Sequence, residues 1–332
     1  MKALVYEGPQ HLAIRECAEP VPRDGEVLVR VERVGICGSD LHAYLGHDER
    51  RPAPLILGHE PAGVVVTGPD EGKRVAVNPL VTCGACQACL SGRQNLCEHR
   101  QILSMPPREG AFAEYVCAPQ ANLFAIPSSL GLTEAALAEP MAVSLHAVRL
   151  GLAQVDSTRS TGTALVIGGG AIGLGAALVL RERGMGRVVV LETNPLRREV
   201  LSAERGIDVR SPADAALPGT GECDLVIDAV GSEATRAIAS NKAAPGGVIV
   251  HPGLQSGEGG LDARRMTLQE ITFTGCYTYT MADFAQTVDW LAKGRFGELA
   301  WLEERLLDDG AAAFSEILDG QCAAPKVILR PA

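Results

Sequence analysis

Four of the ten cysteines in this 332-residue chain crowd into fifteen residues: Cys83, Cys86, Cys89 and Cys97, spaced C-x2-C-x2-C-x7-C. In a cytoplasm, thiols this close stay reduced, so metal ligation is a better reading than a disulfide net. Four thiolates close a tetrahedral zinc shell with no open position, which is the signature of a structural ion. Gly84 and Gly92 supply the turns that let so short a loop wrap an ion. An iron–sulfur cluster also takes four cysteines, and four unliganded thiols in a loop is the bland alternative. A second constellation begins at Cys37-Gly38-Ser39-Asp40-Leu41-His42 and is completed, 22 residues after Cys37, by His59-Glu60. Cys, His and a carboxylate hold a zinc through three protein contacts and leave one position for water or substrate, as a catalytic ion requires. Glu60 and Glu139 both qualify as the carboxylate, one binding directly and the other through water. Asp40 is the natural partner to fix the ring of His59. Taken singly, Cys37 reads as core and His59 as a surface turn.

A third motif, Gly168-Gly169-Gly170-Ala171-Ile172-Gly173, fits G-x-G-x-x-G. The pattern alone is weak, but here it follows a strand (TALVI) and opens a helix (GLGAALVLRERG), the context its mechanism needs. Gly168 makes the tight turn, Gly170 lets the backbone approach a pyrophosphate, and Gly173 allows close packing of helix on strand. The helix N-terminus at Ala171 and Ile172 then offers free N–H groups to the phosphates. Glu192, 19 residues beyond Gly173, stands where a carboxylate would accept the adenosine ribose hydroxyls and repel a 2′-phosphate. NAD is therefore expected over NADP, although Arg197 and Arg198 lie close by. A packing turn with no ligand is the alternative.

The elements that must position these residues divide the chain. Residues 26–36 alternate apolar and polar with Val27, Val29 and Val31 on one face, a half-buried strand. Short β-branched runs at 1–6, 63–67 and 73–77 make the first 130 residues mostly β and loop. From Thr133 the texture turns helical, with Pro140 expected to kink or restart the helix. Beyond Thr163, strands at 164–168, 188–192, 225–229, 248–251 and 271–275, with a weaker one at 207–210, alternate with helices at 172–184, 195–205 and 231–243. That alternation means right-handed βαβ units and a parallel sheet. The last fifty residues carry helical pieces at 283–293 and 311–320 and a final strand, KVILR.

Composition narrows the functional classes. Hydrophobic residues make up 46% and charged residues 21%, enough for sizeable cores and against disorder. A net charge of −10 without a basic run makes nucleic acid and anionic membranes poor partners. The longest uncharged run, 164–180, is 17 residues and broken by the glycine loop, short of the roughly 20 a membrane helix needs. The opening residues lack the apolar core of a signal peptide, so a cytoplasmic protein is expected. Cys17, Cys117, Cys223, Cys276 and Cys322 read as small core fillers.

Taken together, GICGSDLH (35–42), GHEPAG (58–63), the four-cysteine lobe (83–97), GAFAEYV (110–116), EPMAVSLHA (139–147), GGGAIG (168–173) and DAVG (228–231) resemble the zinc-dependent medium-chain dehydrogenase/reductase family, in its sorbitol, threonine and polyol dehydrogenase branch. The resemblance covers essentially the whole chain. It implies an α/β protein: a GroES-like β-rich catalytic domain over 1–145 and 279–332 and a Rossmann cofactor domain, a doubly wound parallel sheet, over 146–278. By the same resemblance Cys37, His59 and Glu60 lie at the catalytic zinc, Glu139 fills the place where this branch carries Glu, and Ser39 and His42 match the relay that passes the alcohol proton to solvent. The implied reaction is hydride transfer from a secondary alcohol to NAD, giving the ketone. Sorbitol dehydrogenases carry an Arg-Tyr pair for polyol hydroxyls. Here Tyr279 survives, but Thr278 takes the arginine position, and Ala43 followed by Tyr44 replaces the tyrosine after the relay histidine. Tyr44 and Tyr279 are thus the candidate substrate contacts, and a small polyol or sugar acid is expected rather than sorbitol itself. The family also implies a homo-oligomer, a tetramer or else a dimer. An NADP-linked or aldehyde-directed member of the same family, and a nicotinamide-binding protein without catalysis, are the competing readings.

Overall fold

A computed structural model of the chain describes residues 1–156, 162–214 and 217–331. It forms two compact units, one of Met1–Pro140 with Thr280–Ala332 and one of Met141–Tyr279.

The second unit is built on six parallel strands: Thr163–Ile167, Arg187–Leu191, Asp208–Arg210, Cys223–Asp228, Ala243–His251 and Thr272–Gly275. In chain order their spatial sequence is 3-2-1-4-5-6, so Thr163–Ile167 lies at the point where the winding reverses. These central strands are continuous apolar runs because a parallel sheet is covered on both faces; Ala164–Val166, Val189–Val190 and Leu225–Ile227 are fully buried. The connecting helices start where short polar side chains cap them. Asn194 accepts from the amides of Leu196 and Arg197, Ser232 from that of Thr235, and Asp262 from that of Arg265. The helix opened by Asp262, Ala263–Leu268, has no counterpart in the sequence expectations, because six residues are too few to show a period.

The first unit centres on a seven-stranded sheet. Leu123–Ala125, Arg74–Val77, Glu60–Val65, Glu26–Gly35, Lys326–Arg330 and Leu302–Leu306 lie side by side, and Tyr115–Pro119 also pairs with Glu26–Gly35. The alternation of Val27, Val29 and Val31 places all three in the core, with Phe112 and Phe314. The C-terminal strand comes home beside Glu26–Gly35, with Ile328 opposite Gly35 and Leu329 opposite Val34.

The helical stretch restarts beside Pro140, as expected, and one feature differs from expectation. The break lies between Leu132–Ala135 and Ala138–Leu152, and Pro140 is the third residue of the latter, in the first turn, where its missing N–H forfeits no helical bond. The difference is that the mostly β region contains a seven-residue helix, Gly38–Tyr44, directly after the long strand.

Candidate metal centre and dinucleotide loop

The pairing of strands assembles the first site. Glu60 opens its strand directly opposite Gly35, the last residue of Glu26–Gly35, so the antiparallel register brings His59 and Glu60 beside Cys37 despite the intervening loop. Single ligand atoms of Cys37, His59 and Glu60 all lie within 4.8 Å of one another. Glu139 is buried but stands outside this trio.

Asp40 organises the trio from below. It is completely buried, and its Oδ2 accepts from the Cys37 amide at 3.0 Å, which also caps the helix Gly38–Tyr44. Its Oδ1 accepts from the Gly58 amide at 3.3 Å and lies 3.4 Å from His59 Nδ1. Burial opposes ionisation of Asp40, but His59, Arg51 and the Cys37 amide outweigh it and hold the pKa below the usual carboxylate value. Burial likewise disfavours a charged His59, yet Asp40 and Cys37 raise its pKa well above 6.5. The surroundings of this ring thus favour positive charge, which is the condition a divalent ion would satisfy. Ser39 Oγ is 3.5 Å from Cys37 Sγ. His42 follows one turn later in the same helix, edge-on to His47 at 6.3 Å.

Two residues at this centre escaped the sequence. Lys326, buried at the start of the C-terminal strand, donates at 2.7 Å to each oxygen of Glu60 and at 2.8 Å to the carbonyl of Ile36. Burial pulls its pKa down, but Glu60, Cys37 and Glu139 more than reverse that. The carboxylate it holds needs Gly35 beneath it, since a Cβ there would meet Glu60 Oε2 at 1.9 Å. The second residue is Arg51, also buried, which bonds the carbonyls of Ser39 and Ser104. Neither stands in a chemical motif; each is recognisable only through contacts across the fold.

The four-cysteine loop lies within the first unit. Cys97 to Cys83, Cys86 to Cys89 and Cys83 to Cys89 sulfur distances are 3.5, 3.6 and 3.9 Å. Zinc–sulfur bonds of 2.3 Å in a tetrahedron put sulfurs about 3.8 Å apart, so the spacing fits a single ion. The Ala85 and Cys86 amides pull the Cys83 thiol down to about 6, whereas burial and the neighbouring thiols push Cys89 up to about 11. A shared cation would remove that conflict.

In the second unit the glycine loop joins Thr163–Ile167 to the helix Ala171–Glu182. Gly168 has φ +96°, and a Cβ on Gly173 would strike the Gly168 carbonyl at 1.8 Å, so both positions demand glycine. A Cβ on Gly170 would meet nothing within 4 Å; the space above this helix start is open. Ile172 is tied down by its carbonyl, which accepts from Ser144 Oγ at 2.9 Å. Glu192 turns toward the loop. Its Oε2 accepts from the Gly169 amide at 2.9 Å and its Oε1 from the Asn194 amide at 2.7 Å, with Arg197 Nη1 at 3.4 Å. Asp228 of DAVG anchors the neighbouring strand end, accepting from the amides of Val230 and Gly231 at 3.1 and 2.9 Å.

The two candidate substrate tyrosines are both buried. Tyr44 packs edge-on to Phe314 at 5.4 Å in the core of the first unit. Tyr279 is 1% exposed at the end of the second unit, beside Thr278, whose φ is +45°.

Residues 23–128 match the family model of the alcohol dehydrogenase GroES-like domain, and residues 171–293 match that of the zinc-binding dehydrogenase. L-galactonate-5-dehydrogenase of Escherichia coli strain K12 is 34% identical over 310 residues, 89% of this chain and 88% of the relative. Sorbitol dehydrogenase of Bacillus subtilis strain 168 is 35% identical over 312 residues, 89% and 86% of the two chains. Among solved structures, an alcohol dehydrogenase from E. coli CFT073 in complex with NADH superimposes with a TM-score of 0.87 at 28% identity, covering 99% of both chains. Matches of this extent, on a chain that brings Cys37, His59 and Glu60 together in one half and builds a glycine loop in the other, make it an oxidoreductase of the zinc-dependent medium-chain dehydrogenase/reductase family, in the polyol dehydrogenase branch.

Proposed function

We propose that the protein oxidises a secondary alcohol of a small polyol or sugar acid to the ketone, with NAD as hydride acceptor. The observation that carries this reading is the convergence of Cys37, His59 and Glu60 within 4.8 Å. The identities of the sorbitol and L-galactonate relatives favour a polyhydroxylated substrate. Cys37, His59 and a carboxylate, Glu60 or Glu139, would hold the catalytic zinc. When bound, that ion supplies the Lewis acidity that makes the alcohol acidic near neutral pH. Asp40 fixes the His59 ring, and Lys326 holds the charge of Glu60 in place. Ser39 Oγ takes the alcohol proton, and His42 releases it to solvent. The carbon-bound hydrogen leaves with its electron pair to the nicotinamide, so one hydride and one proton account for the two hydrogens lost.

Gly168, Gly170, Ala171, Ile172 and Gly173 cradle the pyrophosphate. Glu192 favours NAD by repelling a 2′-phosphate, with Arg197 beside it. Tyr44 and Tyr279 are the candidate substrate contacts. Cys83, Cys86, Cys89 and Cys97 hold a second, structural zinc. The catalytic domain is assigned to 1–145 and 279–332 and the cofactor domain to 146–278, in a cytoplasmic homotetramer. The test is turnover with NAD and NADP against a panel of polyols, sugar acids and simple secondary alcohols. Production of reduced NAD from a vicinal diol supports the reading. Turnover with NADP alone would reverse the cofactor assignment, and turnover of simple alcohols alone would reverse the substrate class.

A further inference from the structure

Arg51 is 3% exposed, so its guanidinium has been taken out of water and must be repaid by specific partners. Nε donates to the Ser104 carbonyl at 3.0 Å, and Nη1 donates to the Ser39 carbonyl at 2.8 Å and to Asp48 Oδ2 at 3.3 Å. The two carbonyls belong to segments 65 positions apart in the chain, and each segment bears on the metal centre. Ser39 lies in the helix that begins next to Cys37 and contains Asp40. Ser104 is fully buried with φ +66°, a left-handed backbone that serine adopts at a cost. In that conformation its Oγ lies 3.5 Å from His59 Nδ1, the same ring nitrogen that faces Asp40. Asp40 and Ser104 therefore address one side of the imidazole from two segments, and Nε2 is left to bind an ion. Arg51 is the side chain that ties those two segments together.

We infer that Arg51 is a positioning residue of the metal centre: by bonding the carbonyls of Ser39 and Ser104 it holds Asp40 and the Ser104 hydroxyl in register on His59. The inference rests on the reading that Cys37 and His59 bind an ion. A planar fork suits this task because it reaches two carbonyls in fixed directions, whereas an ammonium meets them as a point charge.

The test is zinc retention per chain during titration with a chelator, in the wild type, C37S, R51M, R51K and S104G, with far-ultraviolet dichroism to confirm the fold. Loss of one zinc in C37S identifies the ion at this centre and leaves the four-cysteine ion as an internal control. R51M is expected to release that same zinc about tenfold or more readily, with the four-cysteine zinc held as in the wild type. R51K should recover part of the loss. S104G keeps the left-handed backbone without strain while removing the hydroxyl, and it should weaken the same zinc alone; it decides the matter if R51M fails to fold. A folded R51M that keeps both zincs with wild-type affinity overturns the role of Arg51, as does an unaffected S104G where R51M does not fold. A wild type that retains the same zinc as C37S overturns instead the reading of the centre itself, and with it the inference.

Discussion

The two candidate metal sites of the first unit are built by opposite strategies. The four cysteines arrive within fifteen residues, on a loop with only short elements of its own, and Cys83 is exposed. The Cys37 centre is drawn from the end of one strand, the start of another, a short helix between them and the C-terminal strand, where Lys326 reaches Glu60 across 266 positions. In the first case all four donors come from one short segment, so an ion bound there would close the loop on itself. In the second the fold shapes the site, and hydrogen bonds to Asp40 and from Lys326 and Arg51 fix its ligand side chains in advance. A closed sulfur shell suits stability and a supported three-donor set suits reaction, so the manner of construction matches the expected role of each.

The largest effect that separates the sites is on catalysis. Cys37→Ser should lower kcat/KM by about a thousandfold or more, the several kcal/mol that Lewis-acid assistance contributes, while NAD affinity measured by fluorescence titration stays within a few-fold. Equal loss of dinucleotide binding would mean that the substitution disturbs far more than the centre. Next comes stability: Lys326→Met leaves the Glu60 carboxylate buried without its partner and should cost about 3–5 kcal/mol in urea unfolding. A cost below 1 kcal/mol would show that Glu60 is not held by that contact. Cys89→Ser should be milder, about 1–3 kcal/mol, with faster amide exchange concentrated in residues 83–97. Exchange that spreads to the Cys37 centre would erase the distinction between a local site and a distributed one.

The smallest effect is in acid. Asp48 is partly buried, which opposes its ionisation, but Arg50 and Arg51 hold its pKa below 3.8. Its folded pKa is below its unfolded one, so its contribution is fully present above pH 3.8 and disappears as the pH falls through the folded value. The stability gap between wild type and Asp48→Asn should therefore be constant near neutrality and close in acid. A gap that widens as the pH falls would contradict this assignment.

What the sequence disclosed follows the same division. The four-cysteine loop and the glycine loop were legible because their chemistry is complete within fifteen and six residues. Strand–helix alternation beyond Thr163 disclosed the parallel sheet because parallel strands are apolar throughout, while its doubly wound order came by resemblance. Lys326 and Arg51 were not legible: apart from Asp48, three positions before Arg51, their partners lie 53 or more positions away or, for Ser39, twelve positions back on a helix too short to show a period. Tyr44 entered by resemblance alone, through its place beside the relay histidine, and its ring also packs edge-on to Phe314.

The most direct test is one comparison of absorbance traces, reduced nicotinamide formed from NAD and a panel of polyols and sugar acids by the wild type and by Cys37→Ser. Steady turnover of at least one vicinal hydroxyl compound is expected of the wild type, and loss of that turnover is expected in the variant. Equal rates in the two proteins, or a wild type that holds both zincs and oxidises none of these compounds, would contradict the proposed function.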